Sequence, residues 1–289
     1  MFSSDLLLAL ATALGLLPLV PAQDAALEPL SPGLNEIQIE HEGQSRRLLI
    51  TTPSSLAAGR SYPVLFCFHG AGGKADGQSK GWSRHADPHN LIVVSCEAIQ
   101  PMAKWNFMDQ FHTVDHDDVG LVVGVAKELI AGGVADPRSI YATGHSSGGL
   151  FCYRLAKETD LFAAFAPMSC GMARGAHTPA DPTRPVSILQ VIGDRDKSFH
   201  GSTNPKVTMY SAAQRIDLWR TFNGCAAQPV ISQPSAEVTL STYANGDGVE
   251  VVLCQVKGEG HHLRRDLRDE TDGIALDFLL KHRREPLDE

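Results

Sequence analysis

Residues 139–158 read SIYATGHSSGGLFCYRLAKE, and this stretch decides the fold. A short apolar run leads into a turn made of glycines and serines, and the turn leads into a helical pattern. The pattern Gly-x-Ser-x-Gly falls on Ser146 within the turn. A strand, a tight serine-bearing turn and a helix in this order predict a turn that lifts a serine hydroxyl above the edge of a sheet.

Only the first of the two adjacent serines fits that position. A nucleophile on so tight a turn needs a glycine two residues away on each side, because a Cβ there would collide with the neighbouring strand or helix. Gly144 and Gly148 flank Ser146 at this spacing. We therefore predict that Ser146 supplies a nucleophilic hydroxyl and that Ser147 supplies its backbone N–H group.

A serine hydroxyl is a poor nucleophile at neutral pH, so it needs a base and a carboxylate that orients the base. In a fold with this kind of turn, the acid follows the serine along the chain. The segment LQVIGDRDKSFHG offers Asp194 and Asp196 directly after a buried strand. We favour Asp196, because by that residue the loop has had room to turn toward the site. Asp194, read as a turn-forming residue, is the alternative.

The base is expected after the acid, in a loop near the C-terminus. The segment VKGEGHHLRRD follows the last apolar run and places His261 directly after Gly-Glu-Gly. We predict His261 as the base. His262 would point elsewhere in a locally extended chain, and it remains the alternative.

The negative charge that develops on an attacked carbonyl oxygen needs two N–H donors. The backbone of Ser147 provides one. The glycine-rich turn in FCFHGAGGKADG lets the main chain approach a substrate closely, and we predict Ala71 as the second donor. A phosphate-binding loop is the competing explanation for these glycines, but no Gly-Lys-Ser/Thr follows them and Lys74 is isolated.

The rest of the chain alternates strand patterns with helix patterns. NEIQIEHEGQSRRLLITTP alternates apolar and polar residues around a turn, which predicts an antiparallel hairpin. Short apolar runs typical of buried parallel strands are YPVLFCFHG, NLIVVSCEA, PVSILQVIG and VEVVLCQVKG, and helical segments between and after them include DDVGLVVGVAKELIAGG, MYSAAQRIDLWRTFNG and DGIALDFLLKHRR. This order predicts an α/β fold with a doubly wound, mostly parallel sheet and an antiparallel N-terminal hairpin.

The N-terminus carries an apolar run from Leu6 to Val20, followed by small residues that suit cleavage before Gln23. We interpret residues 1–22 as a signal peptide and residues 23–289 as a single catalytic domain. The expected location is then extracellular or periplasmic. A membrane anchor is the alternative, but the run is shorter than the roughly 20 apolar residues of a spanning helix and is interrupted by Pro18. We therefore expect no stable membrane association.

The net charge of −8 argues against nucleic acid as a partner, because phosphate backbones attract basic proteins. We expect a small-molecule or oligomeric substrate and no cofactor. The sequence leaves the oligomeric state open.

The 6 cysteines contain no Cys-x-x-Cys pair, which makes a zinc ribbon or a thioredoxin-like site an unsuitable interpretation. Cys67, Cys96 and Cys152 lie in or beside apolar runs, so we expect buried free thiols. Cys225, in a predicted loop, is the best candidate for a disulfide. The spacing does not decide which cysteines would pair, Cys170 and Cys254 included.

The segment FHTVDHDDVG groups two histidines and three aspartates in a way that resembles a metal site. These residues are His112, Asp115, His116, Asp117 and Asp118. We predict no metal, because a helix start explains the acidic pair and no distant third histidine is marked. Just upstream, Trp105 and Asn106 are expected to line the substrate cleft, with a buried tryptophan as the alternative.

The motifs FHGAGG, WN, DDVG, GHSSGG, GDRD, NGC and GEGHH occur in this order, and with them the chain resembles the secreted esterases grouped with polyhydroxybutyrate depolymerases and feruloyl esterases. The resemblance covers nearly the whole chain after the signal. It implies an α/β-hydrolase fold and a serine triad of Ser146, Asp196 and His261.

Two departures from that family bear on the substrate. The family often continues its histidine motif with an aromatic residue and a proline, whereas this chain has His262-Leu263-Arg264-Arg265. The members of that family that degrade polymers also tend to carry a linker and an extra binding domain. No linker-like segment of this kind is expected in this sequence, so we expect soluble or short esters as substrates. The expected activity is ester hydrolysis. A serine peptidase, an acyltransferase and a catalytically silent binding protein are the alternatives.

Overall fold

A computed structural model describes residues 27, 29–99, 104–109, 116–203 and 207–285 of the chain. The interpreted signal peptide, residues 1–22, lies outside this part.

The helices and strands follow one another in the order that the sequence patterns indicate. The strands are β1 Gly33–His41, β2 Gln44–Thr52, β3 Tyr62–Phe68, β4 Ile92–Cys96, β5 Ala135–His145, β6 Ala164–Met168, β7 Ser187–Gly193, β8 Ser202–Thr203, β9 Thr208–Met209, β10 Val230–Ser232, β11 Val238–Ala244 and β12 Glu250–Val256. The helices are α1 Ala75–Trp82, α2 Ala86–His89, α3 Asp118–Ala131, α4 Ser147–Glu158, α5 Lys197–His200, α6 Ala212–Phe222 and α7 Arg265–Lys281, with a 3₁₀ turn at Ser83–His85.

The main sheet has 10 strands in the order β1-β2-β4-β3-β5-β6-β7-β12-β11-β10. The central strands from β4 to β12 pair in parallel, while the pairs β1–β2, β2–β4, β12–β11 and β11–β10 are antiparallel. The predicted mostly parallel sheet with an N-terminal hairpin is confirmed. The second antiparallel edge, formed by β11 and β10, was not predicted.

Both faces of the sheet are covered by helices, which is why the central strands are apolar throughout. One core packs α3, α4 and α6 against the sheet, with Phe66, Phe151 and Trp219 among its large side chains. The other core packs α1 and α7 against the opposite face. Because the central strands are parallel, the loops after them lie at one edge of the sheet, where ligands of such sheets bind.

The start of α3 uses both acidic residues, as predicted. Asp117 caps the helix, since its carboxylate accepts a hydrogen bond from the Gly120 amide at 2.7 Å. Asp118 is buried and forms an ion pair with Arg46 of β2 at 2.7 Å. The first residue of α3 therefore also connects this helix to the N-terminal hairpin.

All six cysteines are buried and free. The expectation for Cys67, Cys96 and Cys152 is thus confirmed. The disulfide suggested for Cys225 is wrong: this residue is 9% exposed, and its thiol faces the Val249 carbonyl at 3.6 Å. The prediction assumed an exposed loop at Cys225, but β11 and β12 cover that loop.

Candidate active site

The serine turn has the backbone geometry that the sequence predicts. β5 ends at His145 and α4 begins at Ser147, so Ser146 alone connects them. Ser146 has φ 56° and ψ −115°, values that residues with a side chain rarely adopt. This conformation aims the hydroxyl away from both elements and leaves the Ser147 amide as the first N–H of α4, where helical geometry supplies no acceptor.

The two flanking glycines are required by close contacts between backbones. A Cβ on Gly144 would lie 2.5 Å from the carbonyl carbon of Gly148. A Cβ on Gly148 would lie 2.3 Å from the carbonyl oxygen of Phe68 in β3. Both distances are too short for any side chain, so these glycines allow α4 to start directly above the sheet.

The structure brings Ser146, His261 and Asp196 together. The His261 Nε2 lies 3.0 Å from the Ser146 Oγ, and the His261 Nδ1 lies 2.8 Å from the Asp196 Oδ2. Asp194 instead accepts a hydrogen bond from the Gly258 amide at 2.8 Å and holds the turn between two loops. The ring of His262 stacks on His145. The two alternatives to the triad residues therefore have other contacts.

The carboxylate of Asp196 is oriented by hydrogen bonds on both oxygens. Its Oδ1 accepts from the Ser198 amide at 2.8 Å, so the same residue caps α5. Burial alone would raise the pKa of Asp196, but the bonds from His261 and Ser198 outweigh it and lower the pKa. In turn, the hydrogen bond to Asp196 raises the pKa of His261 above its ordinary value of 6.5. The pair stabilises a positive charge on the imidazole.

The glycine-rich turn after β3 lies beside Ser146. A Cβ on Gly70 would be 3.3 Å from the Cβ of Ser146, and the Gly73 amide closes the turn by donating to the Gly70 carbonyl at 2.9 Å. Ala71 is exposed at the tip of this turn. The turn and the first amide of α4 thus both lie close to Ser146.

His69 stabilises the glycine-rich turn after β3 through two hydrogen bonds. Its Nδ1–H donates to the Gly70 carbonyl at 2.8 Å, and its Nε2 accepts from the Ala98 amide at 3.1 Å. Burial lowers the pKa of His69, which keeps the ring neutral and suits one nitrogen that donates and one that accepts. The sequence reasoning did not identify this residue.

Trp105 lies behind the site and does not form its wall. The indole has no exposed surface, stacks on Phe151 and donates its N–H to the His69 carbonyl at 2.9 Å. The expectation of a cleft wall is corrected here, because the packing between β3 and α4 leaves the ring no access to solvent. The alternative, a buried tryptophan, describes what the structure has.

Asn106 is also inside the protein, with 5% of its surface exposed. Its side-chain N–H donates to the His116 carbonyl at 2.8 Å, and its side-chain oxygen accepts from Arg154 at 2.7 Å. Both ends of the amide are therefore committed within the protein. A direct contact with substrate, as expected from the sequence, does not fit this placement.

A cavity of about 310 Å³ lies beside the triad, between α1 and α7. It meets the site at Gly70, His145 and His262, and the buried Asp272 and the exposed Arg268 line its other side. None of the three triad side chains lines it. The cavity is therefore adjacent to the candidate site and is lined on that side by Gly70, His145 and His262.

The described residues contain no group of three or more His, Cys, Asp or Glu side chains that could hold a metal ion. His112 and Asp115, two of the side chains weighed for that role, lie outside the described residues. Likewise, no helix in the described ranges is apolar over a length sufficient to cross a membrane.

Known proteins resemble the chain in sequence and in fold. It is 28% identical over 230 residues to a feruloyl esterase B of Piromyces equi, covering 75% of this chain and 42% of that protein. The chain thus spans less than half of the relative's length. No protein-family model matches it.

Two solved structures share the architecture. An acetyl xylan esterase from Aspergillus awamori superposes with a TM-score of 0.59 at 14% identity, over 83% of this chain and 98% of that one. A poly(3-hydroxybutyrate) depolymerase from Bordetella parapertussis superposes with a TM-score of 0.53 at 19% identity, over 80% and 86%. At such identities the likeness shows the fold, and the resemblance predicted from the motifs is confirmed.

Proposed function

We propose that the chain is a member of the α/β-hydrolase superfamily and that it acts as a serine carboxylic-ester hydrolase. One observation carries the proposal: the His261 imidazole lies within hydrogen-bond distance of both the Ser146 hydroxyl and the Asp196 carboxylate. Its raised pKa suits a group that must take up a proton during attack.

In the first step Ser146 attacks the ester carbonyl while its proton passes to the Nε2 of His261. Asp196 accepts the Nδ1–H bond throughout and stabilises the imidazolium that forms. His261 then gives its proton to the leaving alcohol, and the acyl group remains on Ser146. In the second step water attacks the acyl-enzyme with His261 again as the base, and the acid is released.

The oxyanion formed in each step needs donors that are already in place. We assign this role to the amides of Ser147 and Ala71, one at the start of α4 and one in the turn after β3. Two observations support this assignment. The turn lies close to Ser146, and the Ser147 N–H is the first of the helix, where helical geometry supplies no acceptor.

The names of the similar proteins suggest which acyl groups to test first. The names of two of the compared proteins point to feruloyl esters and acetyl xylan, and the name of the third points to poly(3-hydroxybutyrate). We propose that the substrate of this chain is a soluble or oligomeric ester. The chain would act on it as a single domain after export, with residues 1–22 removed as a signal peptide.

The test is a panel of nitrophenyl esters, hydroxycinnamate esters, hydroxybutyrate oligomers and peptide amides, run on the wild type and on Ser146→Ala. We expect turnover of esters by the wild type and none by the variant. Ester turnover that persists in Ser146→Ala would refute the triad assignment. Turnover confined to peptide amides would make the protein a peptidase.

Export is tested separately by sequencing the N-terminus of the protein from a secreting host. A mature chain that starts at Gln23 is expected. Recovery of an uncleaved N-terminus from the exported protein would contradict the interpretation of residues 1–22.

A further inference from the structure

We infer that His145, the residue before the nucleophile, is a positioning residue that holds the main chain of the base. Its Nε2–H donates to the carbonyl oxygen of His261 at 3.0 Å. The two imidazole rings are also in contact, with 5.0 Å between their centres. This inference rests on the proposed function, because it concerns how His261 is kept within reach of Ser146.

The protonation state of His145 suits a permanent donor. Burial lowers the pKa of His145 and outweighs the hydrogen bond to the His261 carbonyl, which raises it. The charges of His261, His262 and Arg268 lower it further. The ring is therefore neutral at neutral pH, with its proton on the nitrogen that faces the His261 carbonyl. Its other nitrogen faces the turn after β3, where a Cβ on Gly70 would lie 3.3 Å from it. The ring thus fills the space between the turn and the histidine loop.

The loop that carries His261 depends on this contact. The loop before it is fixed, since the Glu259 carbonyl accepts from the Arg195 amide at 2.9 Å. Within the described part of the chain, however, the His145 imidazole is the one hydrogen-bond partner of the main-chain groups of residues 260–263. The side chain of His261 is 41% exposed, so packing alone restrains it weakly. His145 supplies the missing restraint.

The position of His145 in the chain explains why its hydrogen bond fixes the distance between His261 and Ser146. His145 ends β5, and the next residue is the nucleophile, whose amide donates to the Met168 carbonyl at 3.0 Å. Nucleophile and anchor are therefore held by the same strand. A hydrogen bond from His145 to the histidine loop sets the distance from base to nucleophile directly.

Two substitutions test the inference. His145→Leu removes the donor and keeps bulk, while His145→Gln keeps an N–H that can reach the same carbonyl. We expect kcat of His145→Leu to fall on the order of 10- to 100-fold with KM unchanged, because the loss affects only the alignment of the base. His145→Gln should retain most of kcat.

The pH profile and a covalent probe separate alignment from folding. When His261 is misaligned it loses part of its bond to Asp196, so its pKa falls and the acidic limb of kcat/KM moves to lower pH in His145→Leu. A fluorophosphonate should label Ser146 more slowly in that variant than in His145→Gln. Labelling does not depend on finding the natural ester.

His282→Leu is the matched control, because His282 is also a buried imidazole that donates to a carbonyl, that of Phe278 at 2.7 Å, after the last helix. It should change stability without changing kcat or the acidic limb. Equal kcat losses in His145→Leu and His145→Gln, or an unchanged kcat and acidic limb in His145→Leu, would overturn the inference. Absence of ester turnover in the wild type would instead refute the proposed function.

Discussion

Ser146 occupies a backbone conformation that costs about 1–3 kcal/mol and that persists only where the surroundings impose it. Here the surroundings are the end of β5, the start of α4 and the two glycines on either side. The strain has a consequence for chemistry, since it holds the hydroxyl of the half-buried Ser146 at 3.0 Å from the His261 Nε2 while the backbone around it is packed. The neighbouring Ser147 lies in the same turn, and in the proposed mechanism it contributes its backbone N–H group.

Replacing Ser147 with alanine should be mild. The Ser147 hydroxyl is buried and has no hydrogen-bond partner within the described residues, so its removal deletes an unsatisfied polar group. Alanine keeps the amide that we assign to the oxyanion. We expect unchanged kcat in a nitrophenyl ester assay and equal or higher stability in urea unfolding. A kcat loss as large as that of Ser146→Ala would show that the hydroxyl itself takes part.

The pH dependence of kcat/KM follows from the pair of Asp196 and His261. In the proposed mechanism the neutral imidazole of His261 is the base. Its pKa is raised by the hydrogen bond to Asp196, so activity should fall as the pH drops through this raised value. In Asp196→Asn that limb should move to lower pH, and kcat should drop by about 10³- to 10⁴-fold. An acidic limb that stays in place would show that another group governs it. Asp194→Asn is the control, because Asp194 holds a turn and does not contact His261.

At the scale of elements, the contact between α4 and β3 decides whether the serine turn can form. Gly148→Ala would place a Cβ 2.3 Å from the Phe68 carbonyl oxygen, which forces the helix away from the strand. We expect a loss of about 1–3 kcal/mol in the free energy of unfolding, together with lower activity. Both are measured on the purified variant, by urea unfolding and by ester turnover.

Gly124→Ala is the matched control, because Gly124 lies inside α3 and a Cβ there would meet nothing within 4 Å. That substitution should raise stability by about 0.5–1 kcal/mol, since alanine favours a helix. A stable and active Gly148→Ala variant would contradict the close packing of α4 on β3.

Sequence patterns predict the elements that carry strong periodicity. The hairpin, the long apolar strands and helices α3, α4, α6 and α7 fall in this class. β6 escaped because it is short and contains Pro167, a residue that ordinarily argues against a central strand. β11 mixes threonine, serine and tyrosine with its apolar residues, and α1 contains two glycines and little apolar surface, so neither shows the pattern that marks its type.

At the scale of the molecule, the candidate site could be predicted from chain order alone because parallel strands end at one edge. Ser146 follows β5, Asp196 follows β7 and His261 follows β12, so their loops converge. Other contacts between residues distant in sequence could not be predicted. The bond from His145 to His261 and the burial of Trp105 depend on how loops pack, and no local pattern records that packing.

Besides the pairing of β2 with β4, a buried ion pair joins the N-terminal hairpin to the rest of the molecule. Arg46 of β2 and Asp118 of α3 are each 2% exposed, and the second oxygen of Asp118 accepts from the Asn106 amide at 2.7 Å. Asp118→Ala would leave a buried guanidinium without its partner and the amide without its acceptor. We expect a loss of about 3–5 kcal/mol in the free energy of unfolding.

The double variant Arg46→Met/Asp118→Leu distinguishes a buried charge from a packing defect. Both charges are removed together while apolar volume is kept, so most of the lost stability should return. Urea unfolding of the wild type, Asp118→Ala and the double variant gives the comparison, and an ester assay on the folded proteins should show similar kcat, because the described contacts of the pair include none with Ser146, Asp196 or His261. If the double variant is as unstable as Asp118→Ala, the acceptor for the Asn106 amide, and not the charge of Arg46, is what Asp118 contributes to stability.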